Sequence, residues 1–292
     1  IPLELLQALG GKDELNMTML ALNLSHFVNG VAKKHGQVSQ ALFPGFEIHA
    51  ITNGIHPFTW ATPYLMPLFD KYLPGWANEP ELLVRVDNIP DQEIHNAHAG
   101  AKAYLFQYIE EVAGTRFDPE ILTIGFARRA TAYKRANMIF TDPERLLKIG
   151  NGKLQLVFGG KAHPHDEQAK QTIREIRQQA DFFGDKLRIV YLPNYNMDVA
   201  SRLIPGVDIW LNNPLRPLEA SGTSGMKAAI NGALNISTLD GWWCEGYRPD
   251  GGWVIGAGET YDDHDYQDMV ESQAIFNLLE NEVVPLFYTR SA

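Results

Sequence analysis

The sequence holds one cysteine, Cys244, in 292 residues. A single thiol excludes an internal disulfide framework and suits a reducing cytoplasm. No apolar run reaches the roughly eighteen residues of a spanning helix, so no membrane partner is expected. Basic excess is lacking too: the formal net charge is −10, whereas a general nucleic-acid binder carries a basic face. The triplets at Asn16, Asn23 and Asn235 match the glycosylation pattern by chance if no secretory route is used. There is no internal repeat and no paired-cysteine motif. His163-Pro164-His165-Asp166 lacks the second ligand pair that a metal site needs, so no metal is expected. The P-loop spacing is also missing, which disfavours a nucleoside triphosphatase.

What remains is ordinary for a globular chain, with 45% apolar and 21% charged residues. The length suffices for one large or two modest domains. Ile1 in place of methionine, and an end without an evident cap, suggest a piece of a longer protein.

Periodicity predicts a helix over 14–40, where Leu15, Met19, Leu22, Phe27, Val28 and Val31 keep a three-to-four spacing. A short strand is expected over Phe46 to Ile51. Prolines 63, 67, 74 and 80 break the next stretch into short pieces, and a longer helix is expected from Asp91 to Val112. Strands are then read at 121–127, 154–158, 187–192, 207–211 and 234–239, with helices near 141–149, 165–180, 197–203 and 226–230 between them. Such alternation implies βαβ units and an α/β, doubly wound parallel sheet of Rossmann-like type. Ligands bind such sheets beyond the carboxyl ends of the strands.

Two features fall on that edge. The cluster Arg128, Arg129, Lys134, Arg135 follows the first strand, and in an acidic chain it points to a specific anion. The run Glu219-Ala220-Ser221-Gly222-Thr223-Ser224-Gly225-Met226-Lys227 follows the strand at 207–211. Its glycines and hydroxyls suit a turn that brings backbone N–H groups to a phosphate at a helix start. Lys227 can act as an ammonium or, deprotonated, condense with an aldehyde. The same residues also suit a plain helix cap, and Asn194 suits another. Trp242-Trp243 and Trp253 read as core rather than a sugar platform.

Glu219 to Lys227, continued by Asn231-Gly232-Ala233-Leu234 and Leu239-Asp240-Gly241, resembles the pyridoxal-phosphate signature of the α-glucan (glycogen, starch, maltodextrin) phosphorylases. Ser25 to Ala32, Thr52 to Ile55, Arg128-Arg129 with Tyr133 to Arg135, Gly159 to Ala162, and Leu192 to Tyr195 resemble further blocks in the same order. The resemblance implies the C-terminal half of a two-domain glycosyltransferase-B-type enzyme. Residues 1–52 would be the tail of the N-terminal domain, and 53–292 the Rossmann-like domain. It implies retaining phosphorolysis, in which an α-1,4-glucan and inorganic phosphate give glucose 1-phosphate. It also implies a pyridoxal 5′-phosphate cofactor whose own phosphate moves the proton, and a homo-oligomer at full length.

By position, Lys227 would tether the cofactor. Thr223, Ser224, Arg128 and Lys134 would hold its phosphate, and Tyr195 would line its pocket. Arg129, with Lys134, would hold the substrate phosphate. Glu219, Ser221, Gly222 and Asn53 would contact the reacting glucose. Asn196 departs from an arginine, and Trp242-Trp243-Cys244-Glu245 from Ala-Asn-Val-Glu, of the animal-type members, which points to the short bacterial and archaeal branch. The rival readings are a sugar-nucleotide-dependent, glycogen-synthase-like transferase and an inactive glucan-binding fragment. The fragment alone is expected to be inactive.

Overall fold

The computed structural model describes residues 2–11, 14–259 and 261–289. The N-terminal part contains α1 (Leu3–Gly10), α2 (Met17–Leu24), β1 (Asn29–Gly30), α3 (Lys33–Leu42) and β2 (His49–Ala50). Next come α4 (Pro57–Trp60), α5 (Met66–Tyr72) and α6 (Asp91–Ala113). The main body follows as β3 (Leu122–Arg129), α7 (Pro143–Gly150), β4 (Leu154–Lys161), α8 (Glu167–Phe183), β5 (Ile189–Leu192), α9 (Met197–Leu203) and β6 (Ile209–Asn212). It ends with α10 (Thr223–Ile230), β7 (Leu234–Thr238), α11 (Trp243–Gly246), β8 (Gly252–Ile255), α12 (His264–Leu278) and α13 (Val284–Tyr288).

The six strands β3 to β8 form one parallel sheet in the order β5-β4-β3-β6-β7-β8. The near-continuous apolar runs of the sequence are explained by burial on both faces. Leu122, Ile124 and Phe126 of β3, with Leu156 and Phe158 of β4, enter one core, whereas Ala127, Val157 and Trp210 enter the other. Neighbouring residues thus point to opposite faces, as the strand period of two requires. The chain moves outward from β3 to β5, then returns to β6 on the other side of β3 and proceeds to β8. That reversal puts the crevice of the sheet between the carboxyl ends of β3 and β6.

The predicted helix over 14–40 is not continuous. It splits into α2 and α3, because Asn29 and Gly30 pair in parallel with His49 and Ala50. A Cβ on Gly30 would lie 2.6 Å from the Gly36 nitrogen, so the chain passes too close for any larger residue. The expected strand over Phe46 to Ile51 shrinks to His49–Ala50 for the same reason: only two residues have a partner. The strand β8 and the helix α12 were not read from the sequence, and β8 closes the sheet at its edge.

Candidate active site

The loop after β6 and the start of α10 build one wall. Gly222 adopts φ 88, in the left-handed region, and hands the chain directly into α10 with no side-chain cap. The first N–H groups of a helix have no intrahelical acceptor, so Thr223 and Ser224 present donors there. Thr223 and Lys227 are one turn apart and share a face of α10. The Ser224 hydroxyl accepts from Arg128 Nη2 at 3.3 Å and from Trp210 Nε1 at 3.2 Å, which locks its side chain. Gly225 has a packing reason rather than a ligand reason: a Cβ there would meet Asn235 Oδ1 at 2.7 Å and Trp242 Nε1 at 2.9 Å.

The end of β3 and the turn after it build the facing wall. Arg128 Nη1 donates to Glu219 Oε2 at 2.6 Å, and Lys134 Nζ donates to the same oxygen. All three side chains are buried. Burial and the neighbouring Arg128 charge push Lys134 down to about 8, with the Glu219 carboxylate opposing them. Burial alone would raise the Glu219 carboxyl, but Arg128 and Lys134 outweigh it and hold it below the usual carboxylate range. Arg129 is exposed at the mouth, and its guanidinium makes no hydrogen bond or ion pair among the described residues.

Arg128, Arg129, Lys134, Tyr195, Glu219, Ser221, Gly222, Thr223, Ser224, Lys227 and Asn53 line a single cavity of about 400 Å³. Every residue to which the family resemblance gives a role therefore lines this one cavity. Hollows of about 660 Å³ beside Arg116 and about 730 Å³ along β5 are larger. Neither gathers a comparable set of cations, a carboxylate and a half-buried lysine, so size does not identify the site. Burial pushes the Lys227 amine down and the Tyr195 phenol up to about 12. The Ser221 hydroxyl is buried without a hydrogen-bond partner among the described residues.

Three residues were missed in the sequence. Trp60 lies flat beneath Lys227, whose Nζ is 3.6 Å from the ring centroid. Asn231 ties these two segments together, donating to Trp60 O and Lys227 O at 2.7 Å each and accepting from Thr62 N at 2.6 Å. Asp240 accepts from Glu219 N at 2.8 Å and Gly241 N at 2.9 Å. Burial pushes its carboxyl up to about 6. Asn231 and Asp240 were quoted only as members of the signature, and a lone tryptophan after a proline gives no spacing to read.

Other expectations are corrected. Arg135 leaves the cavity: it adopts φ 52, donates to Asn213 O at 2.8 Å and Pro214 O at 2.9 Å, and pairs with Asp268 at 2.7 Å and with Glu271. Asn196, not Asn194, caps α9 by accepting from Val199 N at 3.0 Å, while Asn194 takes a left-handed turn. Trp243 is core, as expected.

The carbohydrate phosphorylase family matches residues 3–246. Maltodextrin phosphorylase of Thermococcus litoralis is 41% identical over 96% of this chain and 37% of its own length. Glycogen phosphorylase of Aquifex aeolicus is 41% identical over 94% of the chain and 44% of its own length. Glycogen phosphorylase of Mycobacterium tuberculosis is 37% identical over 99% of the chain and 37% of its own length. The chain thus spans less than half the length of these relatives. It belongs to the carbohydrate phosphorylase family.

Proposed function

We propose that the protein carrying this chain is an α-1,4-glucan phosphorylase, which uses inorganic phosphate to release glucose 1-phosphate from the non-reducing end of a glycogen or maltodextrin chain with retention. The observation that carries this reading is the convergence of Lys227, Glu219 and three cations in one cavity at the crevice of the sheet. A sugar-nucleotide transferase needs no cofactor lysine. The names of the relatives, maltodextrin and glycogen phosphorylase, support the same substrate class.

Family membership implies pyridoxal phosphate, and the residues fit it. A half-buried amine lies above an indole, free helix N–H groups at Thr223 and Ser224 face Arg128 and Lys134, and a buried Ser221 hydroxyl lacks a partner. Lys227 would tether the cofactor, Tyr195 and Trp60 would flank it, and Thr223, Ser224, Arg128 and Lys134 would hold its phosphate. When bound, the group supplies a phosphate that can give and take a proton beside the substrate phosphate. Arg129 and Lys134 would draw the substrate phosphate in and offset the repulsion between the two anions. Glu219, Ser221, Gly222 and Asn53 would orient the glucose. A cytoplasmic location and a homo-oligomeric whole enzyme complete the reading, as does the division at residue 52 into an N-terminal tail and a Rossmann-like domain.

The test uses the full-length protein. Pyridoxal phosphate is added, the absorbance band is followed, borohydride is applied and the labelled peptide is mapped. Label on Lys227, with activity that needs phosphate rather than a sugar nucleotide, is the expected result. Absence of label there sinks the proposal.

A further inference from the structure

Glu219 occupies an unusual position for a residue read as a sugar contact. Both of its ion pairs fall on one oxygen, Oε2, which receives Arg128 Nη1 at 2.6 Å and Lys134 Nζ. Its relative exposure is 7%, and that of the two cations is 8% and 6%, so water contributes little to either partner. Its main chain is fixed independently, since Glu219 N donates to Asp240 Oδ2 at 2.8 Å. The backbone therefore stays pinned whichever partner the side chain takes.

The donors that face Oε2 are donors the proposed reading assigns to phosphate, Arg128 to that of the cofactor and Lys134 to that of cofactor and substrate alike. Arg128 has its other arm committed to Ser224 at 3.3 Å, so its Nη1 position is the one in contention. A phosphate that approaches these two donors meets the Glu219 carboxylate at close range, and the like charges repel unless that carboxylate withdraws. The Ser221 hydroxyl in the same cavity has no partner among the described residues, so it too is open to a sugar hydroxyl.

We propose that Glu219 is a tethered counter-anion of the Arg128–Lys134 pair, which phosphate displaces, so that capture of the anion releases the carboxylate to accept hydroxyl groups of a sugar. One side chain then couples the anion site to the sugar site. The coupling is reciprocal: phosphate tightens sugar binding, and sugar tightens phosphate binding. The sugar arm rests on the proposed function, whereas the competition between Glu219 and phosphate does not.

The test titrates the full-length protein, without added pyridoxal phosphate, with inorganic phosphate by calorimetry, with the native sequence and with Glu219→Gln. Glutamine keeps the shape and removes the charge, so the buried cations lose their internal anion and phosphate should bind about tenfold more tightly. Glu219→Asp, with a shorter arm, should tighten binding by less; it replaces the Gln variant if a melting scan shows that variant unfolded. Glucose affinity, read with and without phosphate, should rise with phosphate in the native chain and not in Glu219→Gln. Equal or weaker phosphate binding in both variants overturns the competition, as does an absence of phosphate binding in every chain. Phosphate-independent glucose affinity overturns the coupling. Failure to label Lys227 with pyridoxal phosphate, alongside tighter phosphate binding in Glu219→Gln, would remove the enzymatic reading and leave the competition between Glu219 and phosphate standing.

Discussion

Lys227 and Trp60 face each other at 3.6 Å from nitrogen to ring centroid, although 167 positions of sequence separate them. The indole both excludes water and attracts the cation, and these effects oppose each other on the amine. Burial is the cause found for its lowered pKa, so a larger share of neutral amine is expected than at an exposed lysine. With limiting pyridoxal phosphate and borohydride at neutral pH, label should accumulate at Lys227 ahead of exposed lysines such as Lys33 and Lys148. Trp60→Ala should erode that preference severalfold, as peptide mapping would read.

Anion binding should fail on the alkaline side because of Lys134. Its folded pKa is pushed down to about 8, below the unfolded value near ~10.4. Charge at this position therefore costs stability below about pH 8, and that cost fades as pH rises. Binding follows the opposite course, since at pH 9 only about a tenth of the free sites keep the charge. Phosphate affinity should drop about tenfold between pH 7.5 and 9. Lys134→Arg, which stays charged, should flatten that limb in calorimetric titrations.

The opposite end of the sheet offers a stability test. Lys102 Nζ donates to Asp208 Oδ2 at 2.7 Å and to Ile121 O at 2.9 Å, while Asp208 also accepts from Thr123 N at 2.7 Å. Lys102→Met should cost about 2–4 kcal/mol in urea unfolding, because it takes the ammonium from a largely buried carboxylate that keeps His98 and Thr123 N as partners. The double change with Asp208→Asn should cost less than the sum of the two. Burial would raise the Asp208 carboxyl, but the His98 bond and the Lys102 charge outweigh it and hold it low. Its stabilising contribution is thus present above about pH 4 and lost as pH falls through its lowered pKa.

Gly241 cannot be replaced without moving the Ser221 wall of the cavity. It adopts φ 53, and a Cβ would lie 2.4 Å from the Ser221 carbonyl oxygen. Gly241→Ala should lower stability by about 1–3 kcal/mol and weaken phosphate binding together, since Ser221 belongs to the cavity. A melting scan and the same titration check both effects.

Residues 1–292 alone should release no glucose 1-phosphate from maltodextrin and phosphate. By the family resemblance, further glucose contacts and part of the cofactor pocket come from the other half of such enzymes. Measurable product from this chain would refute that expectation.

The sheet was legible where strands are buried on both faces, because β3, β4 and β6 are apolar without alternation. Gly252–Ile255 carried no such signal: it is four residues long and begins on a glycine. The helical period from Leu15 onward ran through Asn29-Gly30, where pairing with His49-Ala50 overrode local preference. At the site, the residues with chemical side chains were readable from motif order. Asp240 and Asn231 were not assigned roles, because their work is done on backbone atoms of Glu219, Trp60 and Lys227. Such contacts depend on the fold rather than on any spacing.

The Arg135 clamp bears on the order in which the molecule can be assembled. Its partners Asp268 and Glu271 lie 133 and 136 residues further along the chain, on α12. Arg135 directly follows Lys134, so the turn carrying that ammonium is fastened by a helix made well after it. A nascent chain can close β3, β4 and β5 early through neighbouring contacts. It can complete its anion site only after α12 docks, and long-range closure of that kind is slow. Ligand capture should therefore come after closure of β3, β4 and β5 in the growing polypeptide.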